Sequence, residues 1–133
     1  MQNVIMIKTP EQKWKESIIN YKKKCQKVLN VSNSIRYAGV INEYGRTLTG
    51  IIRQGEKPLL KSDQAKSEFF IISTLETLRK KSSYPLGKLD YLLLKHQKVS
   101  ILVFQKNNIT FYVSLDSNEK NLSNIVTKIK KII

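Results

Sequence analysis

The sequence is poor in the residues that build reactive sites. One cysteine, Cys25, and one histidine, His96, stand among 133 residues, which excludes an internal disulfide and a zinc site of the usual Cys/His kind from this chain alone. The same scarcity argues against a Ser-His or Cys-His nucleophile, which needs a base beside the attacking group. His96 falls in a turn between two strands, where exposure is expected. The ten acidic residues are scattered: Asp63, Asp116 and Glu119 fall at helix caps, Glu11, Glu68 and Glu76 on helices, and Glu43 in a turn. No carboxylate pair or acidic metal cage results, so no catalytic residue, cofactor or metal is assigned. No apolar run exceeds four residues, so no segment reads as a transmembrane span. Val4 to Ile7 is too short for a signal-peptide core, and a cytoplasmic location is expected.

Glycine is sparse as well. Four of the five glycines fall between Ile35 and Glu56, at Gly39, Gly45, Gly50 and Gly55. A phosphate-cradling loop needs closely spaced glycines followed by Lys and a hydroxyl at a helix start. Here no two glycines form G-x-G, and none precedes Lys and then Ser or Thr. Tyr37, Gly39 and Ile41 alternate instead with Ala38 and Val40, which is the period of a strand. Asn42-Glu43-Tyr44-Gly45 reads as a hairpin loop closed by Gly45 in the left-handed backbone region, where it has no Cβ to clash. The segment is therefore a hairpin, with strands near 36–42 and 46–53.

What the chain has in excess is positive charge: 24 Lys and Arg against 10 Asp and Glu, a formal net charge of +14. Such a balance suits a polyanion, either nucleic acid or an anionic membrane, or serves solubility alone. Sequence-specific base reading is not indicated. No RNP-type aromatic pattern occurs, Phe104 and Phe111 read as core, and no two helices are consecutive as a helix-turn-helix requires.

Thr9, Pro10 and Gln12 spell the start of a helix over about 10–30, with a capping box. Trp14, Ile18, Tyr21, Cys25 and Val28 form its apolar stripe, and Lys13, Glu16, Asn20, Lys23 and Lys27 lie opposite. A second helix is expected over 63–82, capped by Ser62 or Asp63 and ended by Pro85 and Gly87. Its apolar set, Ala65, Phe69, Ile72, Leu75 and Leu78, is widened by Phe70 and Ile71 beyond what one sheet face requires. Three strands follow at Leu89–Lys95, Val99–Gln105 and Ile109–Leu115, joined by short turns. A last helix is expected to begin at Asp116, with Glu119 completing a capping box and Leu122, Ile125, Val126 and Ile129 on its stripe.

The order is helix, two strands, helix, three strands, helix. Short hairpins make the five-stranded sheet antiparallel, with the second helix as the crossover, and the length suits a single domain over 1–133. The fold class is α+β.

This order, together with "GVINEYGRTLTG", resembles the roadblock/dynein light chain superfamily of profilin-like domains. A tighter resemblance, carried by Ile35 to Asn42, Gly45-Arg46, Gly50, Lys57 to Leu60, Leu86-Gly87, Lys98-Val99 and Val113-Ser114, is to a family of small archaeal proteins, common in ammonia-oxidising archaea, that brings no known activity. The roadblock resemblance implies sheet order 2-1-5-4-3, with the second helix on one face and the first and last on the other. It also implies a non-catalytic homodimer that scaffolds complexes or regulates a small Ras-like GTPase. In such domains two sheets join through the third strand beside the second helices, so Phe70, Ile71, Tyr91 and Leu93 are the expected dimer interface. The same arrangement gathers Lys13, Lys23, Lys27, Lys128 and Lys131 on one basic face, the surface for the alternative reading as an electrostatic binder of nucleic acid or anionic membrane. A ligand-sensing role would need a cavity under the second helix, which bulky Phe69, Ile72 and Leu75 disfavour.

Overall fold

The computed structural model describes residues 7–133, so Val4 to Met6 of the short apolar run lie outside the described residues. In chain order the elements are α1 (Pro10–Leu29), β1 (Ile35–Ile41), β2 (Thr47–Ile52), α2 (Ser62–Lys80), the one-turn α3 (Ser83–Leu86), β3 (Leu92–Lys95), β4 (Val99–Lys106), β5 (Ile109–Asp116) and α4 (Leu122–Ile132). The strands form one antiparallel sheet in the order β2-β1-β5-β4-β3. This is the expected α+β architecture with the expected strand order.

Strand periodicity sorts the core into two layers. Ala38, Val40, Leu102, Phe104, Phe111, Val113 and Leu115 face α1 and α4, where they meet Cys25, Val28, Ile125 and Ile129. Ile41, Ile101, Val103 and Tyr112 face the other way, toward Phe69 and Ile72 of α2. Ile35 joins the first layer although Tyr37 belongs to the second, because the β1–β5 register shifts between them. The extra residue of a bulge reverses which face the next side chain meets. α4 has only 11 residues, too few to persist alone, and its stability comes from burying Ile125, Val126 and Ile129. Each such side chain contributes about 1.5–3 kcal/mol. Cys25 is fully buried, and burial pushes its thiol up to about 11, which leaves it a core residue rather than a nucleophile.

α1 begins as its sequence spells: Thr9 and Gln12 bond reciprocally, Gln12 N–H donating to Thr9 Oγ1 at 3.2 Å and Thr9 N–H to Gln12 Oε1 at 2.9 Å. Four local expectations are corrected. Trp14 is 53% exposed rather than core, because α1 extends past the sheet. α4 starts at Leu122, since Asp116 is still strand, paired with Val99 and donating its N–H to the Ser34 carbonyl at 2.9 Å. α2 is capped at Lys61, whose N–H donates to Gln64 Oε1 at 2.9 Å, rather than by Ser62 or Asp63. β3 begins at Leu92 rather than Leu89, after the turn of α3. The β4–β5 connection is one of the expected short turns: Asn107 and Asn108 both have positive φ, 53° and 65°, the backbone of a two-residue type I′ turn for which Asn is favoured.

Candidate functional site

β3 is the edge of the sheet, paired on one side only, with β4. Its side chains divide between the two layers. Leu93 is in register with Leu102, which lies in the α1/α4 layer, and Tyr91 stacks on Phe104 in the same layer with ring centroids 6.0 Å apart. Leu92 and Leu94 point the other way and pack against the α2 layer. The four residues expected at one interface are therefore split. Phe70 and Ile71 stand on α2, 61% and 59% exposed, and Tyr91 and Leu93 on the opposite layer, 37% and 40% exposed.

On α2 itself Ile71, Leu75 and Leu78 recur at intervals of four and three and share one outward stripe. Ile71 and Leu78 are exposed and Leu75 half-buried. Phe70 stands about 100° away from Ile71, on the flank that meets the β1–β2 turn, where a Cβ on Gly45 would come within 2.8 Å of the Phe70 Cα. Gly45 has a φ of 81°. Asn42 organises the turn, its Oδ1 accepting from the N–H groups of Tyr44 and Arg46, each at 2.9 Å. Gly39 and Gly50 have a different reason to be glycine. They are in register with each other, and the Tyr37 ring lies across both, so an added Cβ would meet its Cζ at 2.7 Å and 2.8 Å. None of these glycines forms a phosphate cradle.

A cavity of about 340 Å³ opens between the first turns of α2 and the sheet, lined largely by apolar groups of Tyr37, Ile52, Leu60, Ala65, Phe69 and Tyr112. The expectation that bulky residues would fill this space holds only farther along the helix. The cavity sits at its first turns, where Ala65 is the small residue on the inward face. Arg36 closes one wall, ion-paired with Glu56 at 2.8 Å and lying 3.7 Å from Asp116.

Two charged residues not singled out by pattern are structural. Arg53, next after β2, donates Nε–H to the Ile35 carbonyl at 2.6 Å and Nη2–H to the carbonyls of Ser32 at 2.9 Å and Leu29 at 2.5 Å. Glu76 is 1% exposed beneath α2. Its Oε1 accepts from Thr110 Oγ1 at 2.6 Å while Oε2 has no partner among the described residues. The signal for Glu76 was present in the sequence, because it follows Phe69 and Ile72 on the buried stripe at intervals of seven and four.

Burial raises the Glu76 pKa, with the Thr110 hydrogen bond and Lys80 opposing. Below the ordinary carboxylate range Glu76 is protonated whether the chain is folded or not. As pH rises, the unfolded chain releases this proton first, so stability falls until pH passes the raised folded pKa. Glu76→Gln keeps an acceptor for Thr110 and removes the titration. It is expected to be more stable than the parent near neutral pH, the pH-dependent part of the difference vanishing below pH about 4. Urea denaturation of both proteins across that range measures it, and an unchanged pH slope would show that Glu76 ionises freely.

On the other layer Lys13, Lys23, Lys27, Lys128 and Lys131 are all exposed. Lys130 is tied to Asp90 at 2.6 Å. Among the described residues, no helix is long and apolar enough to cross a membrane.

No protein-family model matches the chain, and no curated protein matches it. Solved structures do. The gliding protein MglB from Thermus thermophilus superposes with a TM-score of 0.71 at 10% identity, covering 99% of this chain and 92% of that one. MglB from Myxococcus xanthus gives 0.68 at 12% identity over 97% and 88%. A Roadblock/LC7 domain from Streptomyces avermitilis gives 0.64 at 10% identity over 83% and 88%. At such low identity the likeness is one of fold, and it agrees with the strand order and helix placement described above: the chain has the roadblock/LC7 fold.

Proposed function

We propose that residues 1–133 form a single roadblock-like domain that works in the cytoplasm as a non-catalytic, homodimeric adaptor or regulator of a small Ras-like GTPase. One observation carries this reading. The free side of β3 lies at the sheet edge with apolar side chains on both layers, while the Ile71–Leu75–Leu78 stripe of α2 has no partner among the described residues. An unprotected apolar edge is a template for pairing with a second chain. A seam of this kind buries more than about 1,200 Å² in total when stable. Sedimentation is expected to give a dimer at micromolar concentration, and Leu93→Lys or Ile71→Lys is expected to yield a folded monomer. A parent protein that stays monomeric at high micromolar concentration would remove the dimer. Affinity isolation from native cells tests the partner, with a small GTPase as the expected companion.

A second reading is supported by the exposure of Lys13, Lys23, Lys27, Lys128 and Lys131. It is an electrostatic surface for a polyanion, contacting phosphates rather than bases and weakening steeply with salt.

A further inference from the structure

α1 is longer than the layer it covers. Tyr21 meets Phe111 edge-on, ring centroids 6.4 Å apart, and Phe111 stands near the start of β5 at Ile109. Toward the helix N-terminus the residues from Asn20 back to Pro10 still extend about 16 Å at 1.5 Å per residue, against about 7 Å of remaining strand at 3.3 Å per residue. The apolar stripe continues along this overhang with no sheet beneath it. Trp14 is 53% exposed, and Ile18 is half-buried. Lysines flank the stripe on both sides: Lys13 and Lys24 on one, Lys15 and Lys22 on the other, by the helical step of about 100°. The helix's two acids are already engaged, Glu11 by Lys15 at 3.3 Å and Glu16 by Lys8 at 2.7 Å.

We propose that this overhang docks on an anionic lipid bilayer, with Trp14 and Ile18 entering the interface and Lys13, Lys15, Lys22 and Lys24 meeting lipid phosphates. The proposal rests on the second reading above and gives it a definite occupant. Nucleic acid would satisfy the lysines but offers no apolar medium for Trp14 and Ile18. A bilayer interface offers both at one depth, and an indole is at home there with its ring apolar and its N–H wet.

Trp14 is the chain's only tryptophan, so its emission reports the surface directly. The full-length protein at about 150 mM salt, where the Debye length is about 8 Å, is mixed separately with three probes. These are phosphatidylglycerol–phosphatidylcholine vesicles, phosphatidylcholine vesicles, and duplex DNA at equal phosphate concentration. A blue shift and protection from acrylamide quenching are expected with the anionic vesicles alone. Each of Lys13→Gln and Lys15→Gln is expected to lower partitioning about fivefold, and Trp14→Ala, followed by co-sedimentation, to weaken it further. No response to anionic vesicles, or an equal response to phosphatidylcholine, overturns the proposal. A response to DNA only overturns the bilayer while leaving the electrostatic reading intact, and silence toward all three removes both. Emission that is already blue-shifted without vesicles and reverts on dilution places Trp14 in a contact with a second copy, which also overturns the proposal.

Discussion

Gly45→Val is expected to destabilise the protein by about 3 kcal/mol or more. Two costs combine at this position. The backbone φ of 81° lies in the left-handed region, where an L-residue costs about 1–2 kcal/mol. A Cβ there would also lie 2.8 Å from the Cα and N of Phe70 and 2.9 Å from the carbonyl carbon of Phe69. Those are backbone atoms of α2 and cannot rotate aside, so the helix must move as a unit away from Phe69 and Ile72's contacts with the sheet. Overpacking of this kind adds about 1–3 kcal/mol. Gly55 supplies the control, since it has a φ of 89° and nothing within 4 Å of an added Cβ. Gly55→Ala should therefore lose only the backbone contribution, and Gly45→Ala should lose clearly more. Urea midpoints at constant m compare them. Equal losses would mean that the approach of turn to helix imposes no constraint.

Arg53→Ala is expected to cost about 2–4 kcal/mol. The guanidinium accepts nothing and donates to three carbonyls from three places: Leu29 at the end of α1, Ser32 in the following loop and Ile35 at the start of β1. The last carbonyls of a helix have no partner within it, and here a residue of the edge hairpin supplies one. Charge-assisted bonds are stronger than neutral ones, and truncation leaves the acceptors to find water at a partly buried site. Arg53→Lys should recover less than half of the loss, because an ammonium cannot span the fork. Denaturation measures the loss, and hydrogen exchange should locate it, with faster exchange of the Val31 and Ile35 amides. A full rescue by lysine would reduce Arg53 to a point charge.

Periodicity made most of the fold legible, but only within its reach. Alternation around Val40 and in Ile109–Leu115 assigned strands to layers, and Thr9-Pro10-Gln12 placed the start of α1 because capping is a local contact. Asp116 and Glu119 spell an equally good cap, yet a cap contributes about 1 kcal/mol. The pairing of Asp116 with Val99 and the Ser34 carbonyl prevails over it. Trp14 has the right phase for the core, and phase says nothing about how far the sheet extends beneath. The residues expected at a dimer interface show the same limit. The sequence marks Phe70 and Ile71 as apolar surplus and the resemblance adds Tyr91 and Leu93, while the layer each occupies depends on the strand register with Leu102 and on the turn at Gly45. Arg53 carries no local signal at all, since its three acceptors lie far back along the chain. Glu76 was readable as a charge on an apolar stripe.

The ring of Tyr37 lying over Gly39 and Gly50 has a consequence for how this hairpin can change over generations. One aromatic side chain serves three positions, two of which must be empty for it to lie flat. A methyl group at either glycine evicts the ring, and a smaller residue at 37 uncovers two bare stretches of backbone beside the α2 layer. Each single replacement is opposed by the other two residues, so their effects are far from additive. A change at 37, 39 or 50 is therefore expected to be tolerated only together with changes at the other two.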